Sequence, residues 1–279
     1  QGLWHAFRRD PRATPFNVYL PTRMRCRLDA QALRQAINLL AARHPCLRTT
    51  FTDAGGRLEQ QVHAELLPAF EIVDAPGATA EQVREWLVRD ALQPFDLERG
   101  PLLRVKLYQL ADDDWIILAL THHIVVDFWS LVLILNEIRG VLPDLLAART
   151  PHLPPAAANY RKFVQEQAEH LAGPRGELDR QYWRDVVQQA SPVLELPLDK
   201  PRPAVFTGRA ETVQLNFPDG IAPRITALAQ RLKSTTFAVV HTALQVLLSR
   251  TSGQESFFIG SPFSGRTQRE YEQTVGFFV

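Results

Sequence analysis

Apolar residues recur along this chain with two different periods, and the switching between them predicts a protein that mixes strands and helices. Residues 16–28 alternate loosely between apolar and polar, as a strand does. Asp29 then precedes Leu33, Ile37 and Leu40, one face of a helix that Asp29 caps and that runs to about Arg43, where Pro45 stops it. Residues 47–52 predict a strand, Asp53 to Gly56 a turn, and residues 58–63 its hairpin partner. Thr79 and Gln82 have the spacing of a capping box opening a helix to about Leu92. Residues 102–110 and 115–121 read as two long strands joined by the acidic turn 111–114. Leu131, Ile134, Leu135 and Ile138 follow at i, i+3, i+4 and i+7, a helix that Pro143 and Pro151 limit. Residues 160–171 and 177–189 are also helical in pattern.

Residues 191–206 contain four prolines. Proline removes backbone donors and disfavours helix before it, so this stretch is an extended connector. Beyond it the pattern starts again, with a strand over 209–217, helices near 218–232 and 235–249, a strand over 255–260 and a loop at 261–266. The domain reading is an N-terminal lobe over 1–190, the connector 191–206, and the start of a second lobe over 207–279.

Composition narrows the class of protein. With 279 residues, 46% of them apolar, the chain can bury a substantial core. A net charge of +1 gives no reason to expect nucleic acid or an anionic membrane as partner. The longest apolar runs, such as 115–120, are too short to span a bilayer, and no secretory signal is visible. Two cysteines, Cys26 and Cys46, fit free thiols in a reducing, cytoplasmic compartment. Met24 is the sole methionine and the last residues, Gly276 to Val279, form an apolar run, so a piece of a longer polypeptide is expected.

The stretch with chemistry in it is Thr121 to Ser130, THHIVVDFWS, at a strand-to-helix turn. Strand alternation separates the two histidines. Ile116, Leu118, Leu120 and His122 share one face, uniformly bulky, which predicts core. Trp115, Ile117, Ala119, Thr121 and His123 share the other, which becomes smaller and more polar towards its end, as a substrate passage would. His123 is therefore expected to face a cavity and His122 to be packed. Adjacent strand histidines cannot readily chelate one metal, and no other cluster has zinc spacing, so no metal site is expected. Asp127 has two readings, a helix N-cap and a buried carboxylate; the second needs an arginine, for which Arg43 and Arg48 are the candidates.

HHIVVDFWS resembles the HHxxxDG motif of condensation domains of nonribosomal peptide synthetases, within the chloramphenicol acetyltransferase-like superfamily. Other blocks match in order: Arg43 to Phe51 (RHPCLRTTF), Gly2-Leu3-Trp4 with Phe16 to Tyr19, Tyr182-Trp183 followed by Leu196 to Pro203, Ile259 to Arg266, and Val275 to Val279. The resemblance implies an α/β (α+β) fold of two acetyltransferase-like lobes in a V-shaped pseudo-dimer, the second incomplete here. It implies a tunnel between the lobes and two carrier proteins, donor and acceptor, docking at its ends beside neighbouring assembly-line domains. Substrates would arrive as thioesters on phosphopantetheine arms, with no cofactor bound directly. By position His123 corresponds to the family's key histidine, with His122 beside it, and Asp127 to its structural aspartate, supported by an arginine such as Arg43 or Arg48. Thr121, Phe128, Trp129 and Ser130 would line the passage.

Two features depart from the pattern. Phe128 stands where the motif has glycine, and its bulk beside His123 is expected to narrow the passage, to reshape the donor site or to mark a subgroup with an unusual acyl donor. The chain also stops at the VGFFV block, short of the rest of the second lobe. Ester-forming and epimerising relatives, a polyketide acyl donor and a non-catalytic recruitment module of the same fold remain open. The paired histidines argue against the cyclising relatives, no GxSxG elbow provides a covalent nucleophile, and no CoA pocket is evident.

Overall fold

A computed structural model describes residues 1–154, 159–189, 191, 193–203 and 213–279. These divide into two compact units, one of residues 1–168 with 262–279 and one of residues 169–261.

The first unit opens with helix α1 (Gly2–Arg9), which buries Trp4, and strand β1 (Asn17–Arg25). Helix α2 (Ala30–Arg43) begins where expected because the Asp29 carboxylate accepts from the Gln31 and Ala32 N–H groups. It buries Leu33, Ala36, Ile37 and Leu40. A 3-10 turn (Pro45–Arg48) intervenes before strand β2 (Thr49–Ala54), so residues 47 and 48 belong to the turn and not to the strand. Proline at the first position of that turn sets its φ, and the Thr49 hydroxyl closes it by donating to the Pro45 carbonyl at 2.9 Å. Strand β3 (Arg57–Val62) returns antiparallel to β2 through Gly55 and Gly56, whose φ values of +66° and +89° suit glycine.

Strand β4 (Ala69–Asp74) has no counterpart in the sequence reading. Four of its six residues are exposed, so it lacks the apolar signature of a central strand. Helix α3 (Ala80–Ala91) opens on the Thr79–Gln82 capping box, with both reciprocal hydrogen bonds made. Strands β5 (Leu103–Ala111) and β6 (Asp114–His122) form the expected hairpin. Helix α4 (Phe128–Leu146) follows, and α5 (Tyr160–Ala172) closes the run. Pro143 lies inside α4 instead of ending it. The lost N–H falls in the last turn, where the buried Val141 and the core-packed Leu145 hold the helix to its face.

The main sheet has the order β1-β6-β5-β4, antiparallel except for the β4–β5 pair. Ile116, Leu118 and Leu120 are buried on one face of β6. On that face Trp86 of α3 stacks on Tyr108, centroids 5.8 Å apart. Helices α2 and α4 cover the opposite face and are tied together by Glu137, which accepts from Arg43 at 3.1 Å and pairs with His44 at 2.6 Å. Full burial of each aliphatic side chain such as Leu107 or Leu118 contributes about 1.5–3 kcal/mol, which makes this two-sided sheet the main stabilising feature of the unit. Cys46 is buried within it and Cys26 is exposed, and both are free thiols.

The second unit contains helices α6 (Pro174–Val187), α7 (Ile221–Arg231) and α8 (Thr236–Ser252), the last capped by the Thr235 hydroxyl. The described connector residues 193–203 adopt neither helix nor strand. The strand expected over 209–217 lies outside the described residues up to 212, and residues 213–217 are irregular. The strand expected over 255–260 reduces to a single parallel bridge between Phe257 and Ser191. A strand exists only with a partner, and here Val213, Leu215 and Phe217 are exposed without one among the described residues. No described helix is long and apolar enough to cross a membrane.

Candidate active site

Strand β6 ends at His122, and α4 begins at Phe128. The five residues between them make a tight turn, anchored where the His123 N–H donates to the Phe16 carbonyl at 2.9 Å. The two histidines diverge here as alternation requires. His122 is buried, its ring edge-on to Phe16 and Phe95 at 6.3 Å from each. Its Nδ1 accepts from the Ile124 N–H at 3.1 Å, so the neutral ring carries its proton on Nε2. Burial, and then the neighbouring His123, push its pKa down to about 4. His122 is a neutral packing residue with one structural hydrogen bond.

His123 has the opposite tautomer. Its Nδ1 lies 2.8 Å from the Val126 carbonyl, which can only accept, so Nδ1 carries a proton and the neutral ring has its lone pair on Nε2. The half-buried ring is held from the side by Phe277, whose centroid lies 5.0 Å away in an edge-on contact. A histidine oriented by a backbone carbonyl on one nitrogen, with a free lone pair on the other, can accept a proton or orient an amine.

Both readings of Asp127 hold at once. Its Oδ1 caps α4 by accepting from the Ser130 N–H at 2.8 Å. The same carboxylate is fully buried against Arg266, whose Nη2 donates to Oδ1 at 2.9 Å and whose Nη1 donates to Oδ2. Arg43 and Arg48 do not supply this partner: Arg43 pairs with Glu137, and Arg48 donates to the backbone carbonyls of Ala41, Ala42, His63 and Ala64. Those two arginines bind the end of α2 to its neighbours, and their charges are used there. Burial works to raise the Asp127 pKa, but Arg266 and the Ser130 N–H and hydroxyl outweigh it and hold the carboxyl below its usual value.

The clamp reaches further than one ion pair. The Asp127 N–H donates to the Gly276 carbonyl at 3.0 Å, and the Phe278 N–H donates to Asp127 Oδ2 at 3.2 Å. Ser130 Oγ accepts from the Gly276 N–H at 3.0 Å and from Arg266 Nη2 at 2.8 Å, and lies within hydrogen-bond distance of Asp127 Oδ1. The Arg266 guanidinium also covers the Phe278 ring, 4.1 Å from its centroid. Segment 262–279 is thereby strapped across the turn that presents His123.

Of the residues expected to line a passage, Ser130 is buried inside this clamp and Thr121 is buried with its hydroxyl unpartnered. Trp129 is half exposed and donates its indole N–H to the Glu272 carbonyl at 3.0 Å. Phe128 takes the first position of α4, where its helical backbone has no need of glycine, and the residue is 69% exposed. Arg266, Gly276 and Phe277 were not assigned site roles from the sequence. Their signal was present as the late blocks 259–266 and 275–279, but no spacing rule links Arg266 to an aspartate 139 residues earlier. Among the described residues no group of three His, Cys, Asp or Glu side chains gathers to hold a metal ion.

The Condensation domain family pattern matches residues 1–279. One polypeptide of linear gramicidin synthase from Brevibacillus parabrevis is 35% identical over 283 residues, covering 100% of this chain and 4% of that protein. Phosphinothricin tripeptide synthetase PhsC of Streptomyces viridochromogenes is 33% identical, covering 99% of this chain and 26% of that protein. The chain thus spans a small part of the length of these relatives. Among solved structures, the four-domain nonribosomal peptide synthetase AB3403 superimposes with a TM-score of 0.85 at 24% identity, over 99% of this chain and 21% of that one. The fold is therefore that of the chloramphenicol acetyltransferase-like condensation domains. With the family pattern extending over every residue and the HHxxxD turn built as described, the chain belongs to the condensation-domain family of nonribosomal peptide synthetases.

Proposed function

We propose that this domain joins an acyl or peptidyl thioester, delivered on one carrier protein, to the amine of a second carrier-bound substrate, forming an amide. The observation that supports it most is the tautomer of His123, with Nδ1–H given to Val126 and Nε2 left as a base. An aminoacyl amine has a pKa of about 8 and must be neutral to attack. His123 Nε2 orients that amine and takes its proton as the new C–N bond forms; the thioester C–S bond then breaks, and the departing pantetheine thiolate takes up a proton. Holding both tethered substrates in one passage supplies effective concentration without a covalent enzyme intermediate. His122 and Asp127 act through the turn and do not touch the reacting atoms. Docking of donor and acceptor carriers and a cytoplasmic setting belong to the same proposal.

The test is product formation from defined donor and acceptor thioesters on carrier proteins, followed by mass spectrometry. His123→Ala is expected to lower the single-turnover rate by about 10²–10⁴-fold, the usual contribution of a positioned acid–base group. An unchanged rate would remove His123 from the chemistry. Persistence of a binding role without any amide product, in wild type and variant alike, would favour the recruitment module, for which the substituted motif glycine at Phe128 is the supporting observation.

A further inference from the structure

The face of β6 that carries His123 also walls a cavity. It lies between the main sheet and helices α2 and α4 and has a volume of about 420 Å³. Leu20 of β1, Val105 of β5, Ile117 and Ala119 of β6, Ile37 of α2 and Ile134 of α4 supply its wall. Of the described side chains around it only Thr22 and Arg139 are polar, and both are exposed. Protein interiors leave few voids larger than a water molecule, whereas binding pockets run from about 300 to 1,000 Å³. A cavity of this size belongs with the pockets. A polar occupant would lose its hydrogen bonds to water and regain none here. A peptide chain, with its repeated amide groups, is therefore the wrong occupant, and a hydrocarbon chain is the right one.

Register connects the cavity to the proposed active site. Ile117, Ala119 and Thr121 alternate onto one face of β6 and His123, the first residue after the strand, continues the alternation; two residues of strand span about 6.6 Å, so His123 stands about 13 Å from Ala119. Leu103 lies directly opposite Thr121 in the ladder and also lines the cavity, so the wall reaches the Thr121 row. Thr121 is 1% exposed, and its hydroxyl has no partner. Buried hydroxyls are normally hydrogen-bonded. A carbonyl carried along this face, between the cavity and His123, would satisfy it.

We propose that this cavity receives the saturated hydrocarbon chain of an acyl donor, with the chain between the sheet and α4 and the thioester carbonyl past Thr121 towards His123. The assignment of the ligand as a donor rests on the condensation reading; the cavity's preference for a hydrocarbon does not.

Direct binding tests it. Dodecanoate and its shorter homologues are titrated calorimetrically into the 279-residue chain and into two variants. Affinity is expected to rise roughly fourfold per added methylene until the cavity is filled. Ala119→Leu fills the floor, and Leu135→Trp closes the rim at a residue already 42% exposed. Each should weaken dodecanoate binding at least about tenfold. Ala119→Leu should still bind shorter homologues, a shift in preferred length that misfolding cannot imitate. Binding without dependence on chain length, or unaltered in both variants, would overturn the inference. Fatty-acid binding does not require His123, so the two proposals separate. Chain-length-dependent binding with no amide formation would sink the condensation reading alone. Amide formation from short acyl donors with no fatty-acid binding would sink the cavity assignment alone.

Discussion

At the scale of residues, the two adjacent histidines show how one backbone step changes chemistry. His122 accepts a backbone N–H and is buried; His123 donates to a backbone carbonyl and keeps a free nitrogen. Because the folded pKa of His122 is about 4, against about 6.5 when unfolded, the unfolded chain binds the extra proton between those values. Its contribution is intact above pH 6.5 and is lost as pH falls towards 4, an acid destabilisation of about 3 kcal/mol. Denaturant titrations across that window should show it, and His122→Asn, which keeps an acceptor but does not titrate, should flatten the slope. The Asp127–Arg266 pair makes a second residue-level prediction. Arg266→Met leaves a buried carboxylate uncompensated and should cost about 3–5 kcal/mol by denaturant melting. Adding Asp127→Asn should recover part of that loss, since the two share one interaction.

At the scale of elements, local signals did much of the placing. Asp29 and Thr79 start α2 and α3 because short polar side chains satisfy the first free N–H groups of a helix. Thr79→Ala should therefore cost about 1 kcal/mol in a thermal melt with the fold unchanged. Elements whose reason is tertiary were illegible. Strand β4 is an exposed edge strand that exists because β5 offers a parallel ladder, and α4 continues through Pro143 because its neighbours hold it. The strap 262–279 is the clearest case. Gly276 is packed so closely on the Tyr160 ring that a Cβ would overlap it, while the Tyr160 hydroxyl donates to the Phe277 carbonyl at 2.6 Å. Gly276→Ala should displace the strap, lower the melting temperature and loosen the Phe277 contact on His123, which the proposed amide-forming assay would read as a reduced rate.

At the scale of the molecule, the core around the two-sided sheet sets accessibility. Cys26 is exposed, whereas Cys46 is buried and its pKa is pushed up to about 12 by that burial. Alkylation at neutral pH should modify Cys26 rapidly and Cys46 only at the rate of unfolding, so mass spectrometry of Cys46 reports opening of the whole unit. The sequence by itself determined the periodicity of the elements in the first unit, the helix caps, the opposite faces of His122 and His123, and the order of the family blocks. All of these follow from steric and hydrogen-bonding rules that act over a few residues. Tertiary structure alone decided that Arg266, not Arg43 or Arg48, neutralises Asp127. It alone decided that 262–279 returns over the HHxxxD turn, and that sheet and helices leave an apolar cavity beside His123's strand. A buried charge selects whichever opposite charge the folded chain brings within reach, and sequence separation carries no information about that distance.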